Sequence, residues 1–508
     1  MRNNKELLVV LRIFNYFCTR VNELTSKQVD ELTHSKAQLT TMTIAIVTLM
    51  LLGYLLICTE HITRINKATV ALFCGVWGWV LYVCVGPYYI ETLHDSVFRE
   101  FLGSQDYSIK AVNEFIRQKV FASHIAQLTS VVMYLLTTMA IVDVLANNGC
   151  FDLVTKLCRS RSTWVVVTML ALCSFGLSAN LDNLTSAVVM LMVMNQLVVN
   201  HRQRMLLGAI IVIATNCGGC FTVIGDVTSL LVWTRGAVTP TNYTAALVLP
   251  ALFATIVPTY LIGRKLPAHL DLKRSSVMMF RGDDGDVKPW QQILMLFLGI
   301  VGLWFVPTFY RLTNLPPFLG ALCVLGVLWV VNEVINRKRI LSDQPLQART
   351  NRSLQYELIQ MIMFFLGIGL CVDILIEVGA MNSVRSWCDG NIHNIYIMSL
   401  VLGAVSAVMD NIALVISGIS IYPVLDGGTS GMTEYMQSFV QNGQYWHLIT
   451  LSGCVGGCLL PIGNTAGYAL MKSEDVTIWW YLKHITWKVL LGWFVSLGIY
   501  FLVDYFLR

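Results

Sequence analysis

Long uncharged apolar runs follow one another from residue 42 to the C-terminus, near 42–59, 68–86, 122–146, 242–263, 289–309, 317–334, 358–378 and 485–503. An α-helix needs roughly 20 such residues to cross the hydrocarbon core of a bilayer, so each run predicts a spanning helix. Four further apolar segments, 163–200, 205–236, 393–424 and 447–475, are interrupted by glycines and polar residues. Irregular backbone at membrane depth survives only where protein or a water-filled cavity surrounds it. These four segments are therefore expected to bury their breaks and to form a binding site.

The breaks come in matching pairs. Ser178-Ala179-Asn180-Leu181-Asp182-Asn183 and Ser406-Ala407-Val408-Met409-Asp410-Asn411 end on the same Asp-Asn, 228 positions apart. Gly218-Gly219-Cys220 with Ile224-Gly225-Asp226 returns as Gly456-Gly457-Cys458 with Ile462-Gly463-Asn464, at an offset of 238. A third pair, Tyr134-Leu135-Leu136 through Val142-Asp143 and Phe364-Phe365-Leu366 through Val372-Asp373, lies at an offset of 230. Three phrases in one order at nearly one offset predict a duplication. The expected architecture is an all-α polytopic membrane protein of two inverted-topology repeats, each with about five spans plus a re-entrant hairpin and a broken helix. Its parts are an N-terminal segment 1–41, a first repeat 42–264, an inter-repeat loop 265–288 and a second repeat 289–508.

Composition agrees with a membrane protein. Of 508 residues, 56% are hydrophobic and 13% charged, with mean hydropathy +0.63, whereas soluble domains carry about 25% charged residues. The net charge of +5 is a topology signal rather than a nucleic-acid footprint. Loops near 60–67, 148–162, 201–204, 264–288, 335–356 and 472–484 are rich in Lys and Arg, while those near 236–241, 310–316 and 425–446 carry only Arg311. The first set is expected in the cytoplasm. That places the N-terminus outside, although residues 1–41 hold six Lys/Arg. This N-terminal segment has no convincing signal-peptide cleavage site and reads as an amphipathic interfacial helix. The 14 cysteines show no disulfide framework.

The polar residues at the breaks suit a small hard cation. Ser178, Asn180, Asp182, Asn183, Thr185 and Ser186 at one tip, and Ser406, Asp410 and Asn411 at the other, are oxygen donors. Thr222, Asp226 and Thr228 join them from one broken helix, and Asn464 and Thr465 from the other. Helix capping by Asp182 and Asp410 is compatible with this, although Ser or Asn caps at lower desolvation cost. The carboxylates Asp182, Asp226 and Asp410 are the expected Na⁺ ligands. Asp143 and Asp373, toward the ends of their spans, are candidates for a proton relay or for an interfacial role. Lys67 reads more simply as a snorkelling anchor. Cys217-Gly-Gly-Cys220 imitates a redox motif, but small residues at a helix break explain it better. The histidines lack zinc spacing and there is no Walker A phosphate loop, so no cofactor is expected.

These residues resemble the NhaD-type sodium/proton antiporters, a family within the ion-transporter superfamily that also holds arsenite permeases and dicarboxylate/sodium symporters. The resemblance runs over about residues 42–500. It is carried by the Ser178–Thr185 phrase, by Asn216-Cys-Gly-Gly-Cys-Phe-Thr-Val-Ile-Gly-Asp226-Val-Thr228, by Asp410-Asn411 with Tyr422-Pro423, and by Glu60–Lys67. It implies exchange of Na⁺ or Li⁺ for H⁺ at the hairpin tips and helix breaks. It also implies a homodimeric scaffold against which a transport part moves, and a bacterial inner membrane. The family often has a serine-rich variant where this chain has Asn464. The dicarboxylate branch carries Ser-Asn-Thr at both tips, and this chain has it at neither. The alternatives are ion-coupled transport of an oxyanion, arsenite or organic anion, a membrane redox enzyme, and a non-transporting scaffold. An anion site calls for a basic residue at the breaks; 178–186, 217–228, 406–414 and 456–467 contain none.

Overall fold

The computed structural model describes residues 32–103, 106–160, 162–273, 287–340, 352–427 and 432–507. Residues 1–31, and with them most of the expected interfacial helix, lie outside this set, as do residues 274–286 of the inter-repeat loop. The described part is helical, apart from two isolated β-bridges that pair Val198 with Leu272 and Leu425 with Val440. Nine helical stretches among the described residues are long and apolar enough to cross a membrane.

Eight of the nine fall on the uninterrupted runs of the sequence. Helix α1 spans Leu32–Cys58 and α2 spans Lys67–Cys84, entered through Asn66, whose side chain accepts from Ala68 N at 2.8 Å. Short helices follow: α3 (Gly86–Leu93), α4 (Asp95–Leu102) and α5 (Ile109–Phe115). A π-helical turn, Ile116–Phe121, joins α5 to α6 (Ala122–Asn147). Residues 87–121 carry no apolar run of spanning length, which is why their helices are invisible to a search for spans. Helix α7 (Asp152–Cys158) precedes the first broken segments.

Each of the four interrupted segments divides into two helices. The first hairpin is α8 (Thr163–Ser178) and α9 (Asn183–Leu197); the first broken helix is α10 (His201–Cys220) and α11 (Val227–Thr234). Then come α12 (Pro240–Gly263), α13 (Pro289–Ile300), α14 (Phe305–Thr313), α15 (Pro317–Ile340), α16 (Arg352–Glu377) and α17 (Ala380–Asn391). Proline opens α12, α13 and α15, where its missing N–H costs nothing. The second hairpin is α18 (Ile395–Ser406) and α19 (Asn411–Ile421), the second broken helix α20 (Gln444–Gly457) and α21 (Thr465–Glu474), and α22 (Trp487–Leu507) closes the chain.

One set of contacts occurs twice. Ser178 Oγ donates to Thr215 O at 2.6 Å, and Ser406 Oγ donates to Gly453 O at 2.6 Å. A Cβ at Gly218 would lie 2.3 Å from Phe175 O, and one at Gly456 would lie 2.3 Å from Gly403 O. Tyr243 donates to Cys220 O at 2.7 Å, and Tyr481 to Cys458 O at 3.1 Å. In each case a hairpin arm lies so close against a helix break that only glycine fits, because no side-chain carbon can occupy the space taken by backbone.

The enclosed part of the molecule is built around α10, which is almost wholly buried, whereas residues 41–58 and 289–313 lie mostly at the outer surface. Helices α2 and α16 run parallel and very close. Gly75 faces Gly367 and Leu370, Gly78 faces Ile374, and Gly367 faces Ala71 and Leu72. The pair joins two polar centres. Lys67 sits over the Phe364 ring at one end, and Tyr82 reaches Glu377 at the other.

Candidate ion-binding site

Two hairpin tips and two helix breaks supply the site. Asp182 caps α9: its Oδ2 accepts from Leu184 N at 3.1 Å and Thr185 N at 3.4 Å. Asp410 caps α19, accepting from Ile412 N at 3.1 Å through Oδ1. A carboxylate before an exposed helix N-terminus satisfies free N–H groups and sits well in the helix dipole. Capping therefore accounts for part of what these residues do.

It does not account for the other oxygens. Asp182 Oδ1 and Asp226 Oδ1 are buried and have no hydrogen-bond partner, and the same holds for Asn183 Oδ1, Thr185 Oγ and Ser186 Oγ. On the second hairpin, Asn411 leaves both its amide nitrogen and its oxygen unpaired, and Thr465 Oγ is likewise unpaired. Buried polar atoms without partners are uncommon, and each needs an explanation. Asp226 Oδ2 is held by Thr228 Oγ at 2.8 Å and by the thiol of Cys454 at 3.2 Å. Asp226 lies within electrostatic range of both Asp182 and Asp410. Asp226 thus stands electrostatically between the two tips, and its thiol partner Cys454 comes from the second broken helix.

Of the remaining candidates, Asn183 donates to Asn216 Oδ1 at 3.2 Å. Ser178 and Ser406 give their hydroxyl protons to carbonyls, leaving only lone pairs. Asn464, at the place corresponding to Asp226, is fully engaged: it accepts from Gly467 N at 2.6 Å and donates to Gly457 O at 2.7 Å. It caps α21 and brings no charge. Asp373 lies in a separate cluster with His124, His94 and Glu377. Asp143 lies near the far end of α6 and accepts from Asn147 at 3.2 Å.

Lys67 is the main residue that local sequence reasoning misplaced. Its ammonium forms an ion pair with Asp410 Oδ2, and Asp410 is 2% exposed. Lys67 is therefore held against the second tip rather than extended toward the interface. A sequence separation of 343 positions hides the pairing. Cys454 was hidden in the same way, since a cysteine in an apolar run reads as a small hydrophobe. Trp304 donates its indole N–H to Asn180 at the first tip, again across the two halves. The Cys217/Cys220 thiols are free, and Cys220 donates to Cys217 O at 3.2 Å, as expected of small residues finishing a helix.

A small cavity of about 20 Å³ opens beside the second tip, lined by Cys58, Glu60, Lys67, Asp410, Ile462 and Tyr468 among others. That is room for about one water-sized body.

A model of the citrate transporter family matches residues 54–427. The chain belongs to that family. Among curated relatives it is 29% identical to Sodium/proton antiporter 2 of Arabidopsis thaliana over 458 residues, covering 90% of this chain and 98% of that one. It is 32% identical to Sodium/proton antiporter 1 of the same plant over 384 residues, covering 74% of this chain and 62% of the relative. It is 26% identical to the Na(+)/H(+) antiporter NhaD of Halomonas elongata over 494 residues, covering 90% and 88%. The expected kinship with NhaD-type antiporters is borne out, and this member of the citrate transporter family is a membrane transporter rather than an enzyme.

Proposed function

We propose that the chain exchanges Na⁺ or Li⁺ for protons, as a secondary transporter built from two inverted-topology repeats. The observation that carries this is the set of unpartnered buried oxygens around Asp182 and Asp226. Two carboxylates held out of water near one another need positive charge, and either a dehydrated alkali cation or a proton supplies it. Only one of them fits at full strength, and that competition is antiport. Asp182, Asp226, Asn183 and Thr228 hold the cation in this reading, with Asn411 and Thr465 closing it from the other half. Asp410, already paired with Lys67, is the third carboxylate and supplies a second proton or cation point when that pair opens.

The names of the relatives support the same reading. The description of the family as citrate transporters favours instead an organic anion. A tricarboxylate would require unpaired cations at the breaks. Among the described residues there, Lys67 is neutralised by Asp410. The duplicated contacts of the two hairpins support the repeat. A homodimer, with α10 and the hairpins moving against a scaffold, is the assembly we propose. By kinship with NhaD the host is a bacterial inner membrane, and by kinship with the Arabidopsis proteins a plant membrane; fractionation of the native source decides between them.

The test uses everted vesicles from a host without its own antiporters. Respiration acidifies the interior, a quenched pH dye reports it, and NaCl or LiCl is added. Rapid dequenching that is lost in Asp182→Asn is expected. Full dequenching in that variant would remove Asp182 from the site. No cation response in the native protein, with uptake of labelled citrate instead, would move the assignment to the anion.

A further inference from the structure

A second buried polar centre lies at the other end of the α2–α16 pair. His94 Nε2 meets Glu377 Oε2 at 2.8 Å, His124 Nε2 meets Glu377 Oε1 at 2.8 Å, and His124 Nδ1 meets Asp373 Oδ1 at 3.1 Å. The four side chains form one continuous chain of contacts. Its outer end, His94, has a side chain 30% exposed, while Glu377 and Asp373 are 6% and 5% exposed. Its inner end has a free position, for Asp373 Oδ2 is buried and has no partner.

Proton counting makes this chain unusual. A neutral imidazole carries one N–H, and each of the two nitrogens of His124 faces a carboxylate oxygen. Both contacts hold only if the ring carries two protons or one carboxyl carries its own. The cluster therefore stores at least one proton that a neutral histidine and two carboxylates would not. The other groups against it are the Tyr82 hydroxyl, donating to Glu377 Oε2 at 3.2 Å, the indole of Trp79 beside the His124 ring, and Arg235 and Cys371, both within electrostatic range of Asp373.

Resting on the exchange reading, we infer that His94, Glu377, His124 and Asp373 form a proton relay between the half-exposed His94 and the buried interior around Asp373. A proton arriving on His94 passes from Nε2 to Glu377 Oε2 as Oε1 releases one to His124 Nε2. His124 then releases its Nδ1 proton to Asp373. One proton enters and one leaves at each carrier, and the reverse sequence empties the relay. From Asp373 to the level of Phe364 and Lys67 is nine residues of α16, about 13 Å of helix rise. The hydroxyls of Tyr54 and Ser417, 3.2 Å apart, belong to the helices α1 and α19, which pack on α2 and α16 respectively.

The test is the pH profile of Na⁺-driven dequenching in the same vesicles. Glu377→Gln and His94→Gln keep shape and hydrogen bonds but interrupt proton passage. Arg99→Gln breaks an exposed ion pair with Asp95 that touches none of the four relay residues. The first two are expected to move the pH of half-maximal exchange by about one unit, with the apparent Na⁺ affinity at the plateau unchanged within about twofold. Arg99→Gln is expected to leave the profile in place. If Glu377→Gln fails to insert, His94→Gln, at the half-exposed end, decides alone. Profiles superimposed on the native one, or an equal shift in Arg99→Gln, would overturn the relay. Absence of Na⁺ exchange in the native protein would overturn the exchange reading itself.

Discussion

The Lys67–Asp410 ion pair makes a quantitative prediction. Two unit charges 4 Å apart attract by about 4 kcal/mol at an effective dielectric constant near 20. Desolvation of both groups offsets most of that gain. Removing one partner leaves the other charge buried with nothing to offset its desolvation, at a cost of about 3–5 kcal/mol. Lys67 keeps 16% side-chain exposure while Asp410 has 2%. Loss of the lysine, which strands the more buried charge, should therefore cost more than loss of the aspartate. Lys67→Met is expected near the upper end of that range and Asp410→Asn near the lower. The double variant should lose less than the worse single one, because no lone charge remains. Thermal unfolding in detergent, followed by tryptophan fluorescence, would rank the four proteins. Melting temperatures of the double variant lowered by the sum of the two single shifts would show that the two groups do not interact, and would remove Lys67 from the site. Exchange should be lost in Asp410→Asn and in the double variant, since the double change recovers stability without restoring the carboxylate.

Two further outcomes test the packing around the site. Gly218→Ala places a carbon 2.3 Å from Phe175 O, and Gly456→Ala does the same against Gly403 O. Backbone cannot step aside as a side chain can, so each should cost about 1–3 kcal/mol or more and abolish exchange; normal dequenching in either would refute the close approach. Glu474 is 0% exposed in its side chain and is held by Arg204 Nε at 2.9 Å. Arg204→Met is expected to destabilise by about 3 kcal/mol, with Arg204→Met/Glu474→Leu recovering much of the loss in the same unfolding assay.

Much of this protein was readable from residue order. The spans, the hairpins and the breaks follow from where apolar runs begin, end and falter. Helices α9 and α19 start at Asn183 and Asn411, directly after the aspartates that cap them. These are local decisions, made by a single segment's need to satisfy its own backbone in lipid. The signals that were present but weak include Asp373 and Glu377, whose i, i+4 spacing puts two carboxylates on one face of α16, and His124, a polar residue at the head of a span. Residues 87–121 gave no signal because short helices with charged faces lack the length of a span.

The sequence by itself determined a helical membrane protein with carboxylates at the breaks of its apolar segments. Only the tertiary structure decided which side chains meet: Lys67 with Asp410, Cys454 with Asp226, Trp304 with Asn180, and two histidines with Glu377. The reason is physical. Helix formation and membrane insertion depend on residues within a few turns of one another. Pairing between helices hundreds of positions apart depends on how glycine-lined faces such as Gly75 and Gly367 bring whole elements together, and no single segment encodes that.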